Sequence, residues 1–400
     1  MDNPLADAAN ICFMDTETRA EPHASPVEAD VGQAGTYRYA KNSFVVISTW
    51  AIGNAPVFDV SLDSGFDGDW LVWSELPDSI KRHHDRVEKG EAWYAAWNAS
   101  FDRAALNYGI SGGPVFEPEM FIDVMAQGAA SNLPGKLEHA AQTLGLGGKH
   151  PEGQKLINQF CRPNGDTPQS HPRDWETFKD YGRLDTELLR DIFRRTRALP
   201  LDEWEDYWVS ERINERGIGI DVELAEKAAR VADYAASRSG DLLTRWTNGE
   251  ITKVTQAKRI AEWLYDRLPT EPAMLLVSEW DEGESEADLV ASKLSLKRDK
   301  LDKLVAYFAS IAKERELTDT EQLMSDIVEE RLYGGSTSPG KFWKMVDQHD
   351  GGRLKNQYVF NGAQQTGRFS SRGVQIHNLT RSSLNEFEGA AIEMIKELKL

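Results

Sequence analysis

Alternating and helical spacings divide the chain into a first half of mixed character and a second half that is almost wholly helical in pattern. The first apolar run, Ile11-Cys12-Phe13-Met14, ends in Asp15-Thr16-Glu17-Thr18. Residues i and i+2 of a strand share a face, so Asp15 and Glu17 would point together at one spot beyond an apolar stem. A β-rich run from Phe44 to Ile52 and a short companion from Val57 to Val60 predict an antiparallel meander beside this strand. Glu75 to Glu88 has helical character, with its tandem His83-His84 expected on a solvated face. Ala92 to Trp97 is an apolar run that stops at Asn98, and a helix is expected through Phe101, Ala105 and Tyr108. Strand, polar junction and helix make a βα unit, and sites of α/β folds gather at the carboxyl ends of such strands, so Asp102 is expected where it can meet Asp15 and Glu17.

Helices are expected over Ile122 to Ala130 and Lys136 to Leu144, with Pro/Gly-rich loops around residues 145–153 and 162–172. A long helix then runs from Asp174 to Leu199, tolerating Gly182, and puts Tyr181 and Asp185 four apart on one face. Taken alone, that pair would pack and cap. Leu201 to Arg216 is helical, with Leu201, Trp204 and Trp208 along one side, and it ends at Gly217. Residues 222 to about 350 continue in helical pattern, interrupted by an acidic, solvated loop from Glu279 to Asp288. Lys293, Lys297 and Lys300 fall at i, i+4 and i+7 beside an apolar line of Leu294, Leu301, Val305 and Phe308. One helix would thus carry a basic edge and a buried face. Such lysines either solubilise the helix or touch phosphates of duplex DNA, and the two readings stand level.

A length of 400 residues allows two or three domains, and 40% hydrophobic with 28% charged residues is the composition of an ordinary soluble protein. The N-terminus lacks the pattern of a signal peptide and no apolar run reaches the ~18 residues of a membrane span, so a cytoplasmic location without membrane contact is expected. Cys12 and Cys161 give neither a disulfide framework nor a Cys-rich zinc site, and the spacings of His150, Cys161 and His171 fit no zinc pattern. A net charge of −19 argues against a nucleic-acid partner, but phosphate is met by local patches. Gly351 to Asn385 carries Arg353, Lys355, Arg368, Arg372 and Arg381 and no acid. Inside it, Gly362 to Leu379 is small and polar around its glycines, which lets backbone approach a ligand closely. Thr366, Arg368, Ser370, Gln375 and Asn378 supply donors for phosphates and base edges. At the other end of the chain, two crowded acids such as Asp15 and Glu17 call for a hard cation, Mg²⁺ or Mn²⁺.

Taken together, D-x-E at Asp15 and Glu17, N-x-x-F-D from Asn98 to Asp102 and Y-x-x-x-D from Tyr181 to Asp185 resemble the three motifs of the DEDDy 3′→5′ exonucleases, which have an RNase H-like fold. The resemblance spans roughly residues 10 to 197. It implies phosphodiester hydrolysis with two Mg²⁺ or Mn²⁺ ions about 4 Å apart. Asp15, Glu17 and Asp185 would hold the ion that polarises the water, while Asp15, with Asp102 through water, would serve the ion near the leaving oxygen. Tyr181 would orient the attacking water. Asn98 and Phe101 would shape a pocket for the terminal nucleotides or support the core.

Ile213-Asn214-Glu215-Arg216-Gly217-Ile218 resembles the start of the polymerase region of family A, the DNA polymerase I-like enzymes. Thr366-Gly367-Arg368-Phe369-Ser370-Ser371 and Gln375-Ile376-His377-Asn378-Leu379 resemble the T-G-R-x-S-S and Q-x-x-N-L elements with which that family grips primer-template, with Thr380 where proline is usual. The implied fold class is α/β: an RNase H-like exonuclease domain over 1–200, the start of the polymerase region and a helical thumb over 201–350, and a partial palm over 351–400. The implied protein is the N-terminal part of a phage-type family A DNA polymerase, acting in the host cytoplasm on the 3′ end of single-stranded DNA and on primer-template duplex. The palm aspartates of that family lie downstream of T-G-R-x-S-S, and no aspartate occurs here beyond Asp350. Primer extension is therefore expected only with a second polypeptide carrying palm and fingers. The alternatives are a stand-alone DEDDy nuclease and a noncatalytic primer-template-binding half of a split polymerase.

Overall fold

Along the chain β1 (Ile11–Ala20) is followed by two short helices, α1 (Val31–Ala34) and α2 (Thr36–Ala40), and then by β2 (Ser43–Ile52), β3 (Phe58–Ser61), α3 (Asp78–Glu88), β4 (Trp93–Ala96) and α4 (Ala99–Gly109). Next come β5 (Phe121–Asp123), α5 (Val124–Ala130), α6 (Leu137–Thr143), α7 (Gly153–Phe160), α8 (Pro172–Arg195) and α9 (Leu201–Arg216). The structure is a computed structural model and describes residues 3–63, 70–277, 294–335, 339–363, 365–379 and 387–398. The chain divides into two units, Met1–Val222 with Lys344–Ser383, and Glu223–Trp343 with Leu384–Leu400.

The first unit is built on a five-stranded mixed sheet of order β3-β2-β1-β4-β5. β1, β2 and β3 form the expected antiparallel meander, whereas β4 and β5 run parallel to β1. Because side chains alternate along a strand, β1 serves two cores. Cys12 and Met14 turn to one side and pack with Trp50, Tyr94, Ala99 and Leu106. Ile11 and Phe13 turn to the other, against Leu188, Leu189, Ile192 and Phe193 of α8. The same period carries Asp15 and Glu17 onto the side that α8 covers. Pro172 opens α8 at a position where its missing N–H costs nothing. Gly182 is explained by closeness to the sheet: a Cβ there would meet Thr49 Cγ2 at 3.1 Å. In the space left, Thr49 Oγ1 donates to the Gly182 carbonyl at 3.1 Å and lies 2.7 Å from Thr186 Oγ1.

Several local expectations need correction. His83 and His84 are buried rather than solvated: His83 Nε2 lies 3.0 Å from the Trp93 carbonyl and His84 Nδ1 3.1 Å from Tyr94 Oη. The helix expected from Ile122 starts at Val124, because Phe121–Asp123 pairs with β4. The loop around residue 153 gives way to α7, which buries Leu156 and Phe160 one turn apart. On α9, Trp204 is buried but Leu201 is 48% exposed.

The divisions expected at residues 200 and 350 do not match the two units. α9 packs into the first unit through Trp204 and Tyr207, and so does Phe360, far along the chain. Gly217 ends α9 with φ 68°, where a Cβ would lie 2.8 Å from the Leu354 carbonyl, so the turn requires glycine. After it, β6 (Ile218–Gly219), β7 (His349–Asp350) and β8 (Arg353–Leu354) make a small sheet of order β6-β8-β7. β9 (Tyr358–Ala363) and β10 (Arg368–Ser371) form an antiparallel hairpin. The buried Asn214 amide acts as a piece of strand, donating to the Tyr358 carbonyl and accepting from its N–H, both at 2.9 Å.

The second unit contains α10 (Val222–Trp246), α11 (Ala257–Tyr265), α12 (Thr270–Met274), α13 (Arg298–Glu314) and α14 (Asp319–Gly334) around Leu243, Leu264, Leu304, Phe308, Ile327 and Val328. α13 begins only at Arg298, with Lys297 as its N-cap, so Lys297 and Lys300 do not form an edge along one helix. Leu301, Val305 and Phe308 do lie on α13, but Leu294 makes a bridge with Val277. Lys293, Thr380 and the acidic loop from Glu279 to Asp288 lie outside the described residues. Among the described residues no helix is long and apolar enough to cross a membrane.

Candidate active site

Three elements of the first unit deliver one group of acids. Asp15 and Glu17 leave β1 toward α8, which presents Tyr181 and Asp185 one turn apart. Asp102 arrives from the first turn of α4 and is fastened between them: its Oδ1 accepts from the Thr16 N–H at 3.0 Å and from Thr16 Oγ1 at 2.8 Å. Asp102 and Asp185 are each 2% exposed, while Asp15 and Glu17 keep partial exposure. Tyr181 stacks on Phe178 with ring centroids 6.0 Å apart. Its ring lies where a Cβ on Gly153 would approach to 2.5 Å, so the glycine that opens α7 makes room for it.

Burial, followed by repulsion from Asp185, raises the Asp15 carboxyl to about 7, with Lys149 opposing. Burial and then Asp15 and Asp185 push Glu17 well above the usual carboxylate range. Asp102 is raised by burial and by Asp15, against its bonds to Thr16. Asp185 is raised by burial, with Lys149 the main opposing group. Asp15, Glu17 and Asp102 are each raised by a neighbouring acid of the group, which leaves the site short of positive charge.

Lys149 is the cation that the protein itself supplies. Its ammonium is ion-paired and hydrogen-bonded to Asp185 Oδ2 and donates to Tyr181 Oη at 3.1 Å. Burial works against the charge, but Asp185, Asp15 and Glu17 together raise the lysine above its ordinary value. Among the described residues, no three Asp, Glu, His or Cys side chains are gathered closely enough to hold one ion as they stand. Asp185 is engaged by Lys149 and Asp102 by Thr16. The donor set nonetheless fits a hard divalent cation, being all carboxylate oxygen, and Asp185 Oδ1 is buried without a hydrogen-bond partner.

Of the other expected residues, Asn98 caps α4 with φ 63°, a conformation asparagine tolerates, and its N–H donates to Asp123 Oδ1 at 3.0 Å. Phe101 stacks on Tyr39, whose hydroxyl lies 2.9 Å from Thr18 Oγ1 near the end of β1. Thr366 and Arg368 are exposed at the tip of the β9–β10 hairpin, Ser370 is half-buried on β10, and Gln375 and Asn378 are exposed in the turn that follows. Lys297 is exposed in the second unit, and Lys300 Nζ donates to the Leu276 carbonyl at 3.0 Å.

Two residues at this site were not singled out from sequence. Lys149 sits in a Pro/Gly-rich loop with no local sign of its partner. Arg372 was visible only as one of five basic residues in an acid-free stretch, yet its Nη1 donates to Asn98 Oδ1 at 3.1 Å.

The chain is 25% identical over 380 residues to a DNA polymerase of Bacillus phage SP02, a match covering 90% of this chain and 51% of the relative. It thus spans about half the length of that relative. No protein-family model matches the chain. The polymerase domain of Pol1 from M. smegmatis, solved with DNA primer-template and dNTP, overlaps with a TM-score of 0.46 at 12% identity. That overlap covers 96% of this chain and 56% of the other, and it is too loose to assign a shared fold.

Proposed function

We propose that the chain carries a 3′→5′ exonuclease, of DEDDy type and RNase H-like fold, that hydrolyses DNA from the 3′ end as the N-terminal part of a family A DNA polymerase of phage type. The observation that carries this reading is the convergence of Asp15, Glu17, Asp102, Asp185 and Tyr181 from β1, α4 and α8. The sheet order, with an antiparallel meander on one side of β1 and parallel strands on the other, supports it. The likeness to a phage DNA polymerase supports the wider assignment.

Two Mg²⁺ or Mn²⁺ ions, when bound, would activate water and stabilise the leaving 3′-oxygen. Asp15, Glu17, Asp102 and Asp185 would hold them. Thr16 keeps Asp102 aimed at the cluster, and Lys149 balances charge at Asp185. Tyr181 positions rather than deprotonates: a phenol with a reference pKa of ~10 is a poor base at neutral pH, and its hydroxyl is tied to Lys149 and Asp185 at the edge of the acid group. Thr366, Arg368, Ser370, Gln375 and Asn378 are proposed to meet primer-template duplex from the hairpin and its following turn, with Lys297 and Lys300 as further candidates.

The test is digestion of a 5′-labelled single strand with Mg²⁺, Mn²⁺ or EDTA. Shortening from the 3′ end is expected only with metal. Asp15→Ala with Glu17→Ala should lower the rate by a factor on the order of 10³ or more. Tyr181→Phe should lower it by roughly 10–100-fold without changing strand binding in EDTA. A metal-supplied protein that leaves the strand intact would establish the noncatalytic alternative instead.

A further inference from the structure

Two clefts of the first unit meet at one pair of side chains. The first, of about 660 Å³, is lined by Trp97 and Val359 together with Lys136, Lys149 and Arg372, and by one acid, Glu138. Through Lys149 it reaches the carboxylate group, because the same ammonium bonds Tyr181 Oη and Asp185. The second, of about 390 Å³, is lined by Lys344 and Lys355 with the amides of Gln348 and Gln357. Asn98 and Arg372 line both, and they are hydrogen-bonded to each other.

Arg372 is held firmly but with its charge unspent. Its backbone N–H donates to the Gln357 carbonyl at 2.9 Å, and the next residue, Gly373, takes φ 60° against the Gln357 side chain. The guanidinium has no carboxylate within ion-pairing distance among the described residues, and its Nε is buried without a hydrogen-bond partner. Asp123 feels its charge, but that carboxylate already accepts from the N–H groups of Asn98 and Met125. A guanidinium held in place through Asn98, lining both clefts and with no carboxylate paired to it, keeps its charge for a phosphate. An aromatic and apolar wall set between cations suits a single strand, with bases on the wall and phosphates on the cations.

Resting on the exonuclease reading, we propose that Arg372, with Lys136, binds a backbone phosphate of the single strand whose 3′ end reaches the carboxylates. The segment that follows the T-G-R-x-S-S-like hairpin would then serve single-stranded as well as duplex DNA, and the path to the acids would be walled by parts of the chain more than two hundred residues apart in sequence.

The experiment measures fluorescence anisotropy of a 5′-labelled oligodeoxythymidylate in EDTA, where no cleavage occurs, over a range of salt. Arg372→Ala should weaken binding about tenfold and reduce the salt slope by roughly 0.7, the value for one lost single-strand phosphate contact. Lys136→Ala should act in the same direction, Arg372→Lys should recover part of the loss, and Lys313→Ala, an exposed change in the second unit, should do nothing. The exposed Lys136 variant decides the matter even if the Arg372→Ala chain folds poorly. Binding within twofold of wild type with an unchanged slope in every alanine variant that folds overturns the proposal. Digestion of the same oligonucleotide by the unaltered chain with Mg²⁺ tests the exonuclease reading separately. A chain that binds through Arg372 without digesting keeps this site and loses that reading, and the reverse result loses the site alone.

Discussion

The first unit buries charge: Arg19, Asp102, Arg103, Lys179, Asp185 and Glu211 are all out of solvent, whereas the buried polar residues described in the second unit are Ser239 and Thr247. Thr247 is also satisfied locally, its hydroxyl donating to the Leu243 carbonyl at 2.7 Å and accepting from the Ile251 N–H at 2.9 Å. In the first unit the contacts are long-range. Arg103 of α4 reaches Glu215 of α9 at 3.2 Å and Tyr37 Oη at 2.9 Å, and Lys149 reaches across to α8. Buried ions are costly unless each is paired, and a group of like charges is costlier still. One unit therefore carries a centre that works against its own stability, while the other is held by apolar packing and helix ends such as the Thr318–Glu321 capping box.

Truncating the second unit's core should separate the two kinds of energy most widely. Leu304 is fully buried, and Leu304→Ala should cost about 2–5 kcal/mol in denaturant unfolding. Digestion per folded molecule should be unchanged, and a parallel loss of digestion would break the comparison. A smaller effect of opposite sign is expected in the first unit. Asp15→Asn with Glu17→Gln removes the repulsion while leaving Lys149 its partner Asp185, and should raise stability in EDTA by ~1–3 kcal/mol as it abolishes digestion. A fall in the unfolding midpoint would mean that the acids are structural.

The smallest effect is in pH. Every histidine of the chain lies in the first unit. Burial lowers both His83 and His84 from 6.5, so below that pH the folded state binds fewer protons than the unfolded one. Stability present above pH 6.5 is therefore lost as pH falls toward the folded values, at no more than ~1.4 kcal/mol per pH unit for each ring. The carboxyls raised at the site, Asp15 to about 7 among them, take up protons in the folded state over the same range and oppose this slope. The histidine contribution is therefore read as a difference: in unfolding curves between pH 7 and 5 the wild type should lose stability relative to His84→Gln.

What the sequence disclosed and what it withheld differ by range. The period of β1 was enough to place Asp15 and Glu17 on one face, and the helical spacing of Tyr181 and Asp185 survived intact, because both are local patterns fixed by backbone geometry. Phe121–Asp123 reads as part of the following helix in sequence, since three residues are too few to show a period of two. The burial of the tandem histidines did have a signal: Ile80, His83, His84 and Val87 stand at i, i+3, i+4 and i+7 on α3. The usual exposure of histidine works against that signal. Lys149 had no such signal, as only the tertiary fold brings residue 149 to residue 185. Arg372 was legible as charge but not as position, because its bond to Asn98 spans the whole first unit along the chain.

The return of residues 344–383 to the first unit has a consequence for how the protein is made. A ribosome delivers β1 through α9 first, but Asn214, Tyr207 and Ile218 meet their partners Tyr358, Phe360 and Leu354 only after the whole stretch from Glu223 to Trp343 has emerged. At ~5–20 residues per second that delay is on the order of ten seconds, long on the scale of helix formation. The helical insert can therefore mature while the unit that surrounds it in sequence is still waiting for its last strands, with the side of α9 that meets Tyr358 and Phe360 uncovered until they arrive.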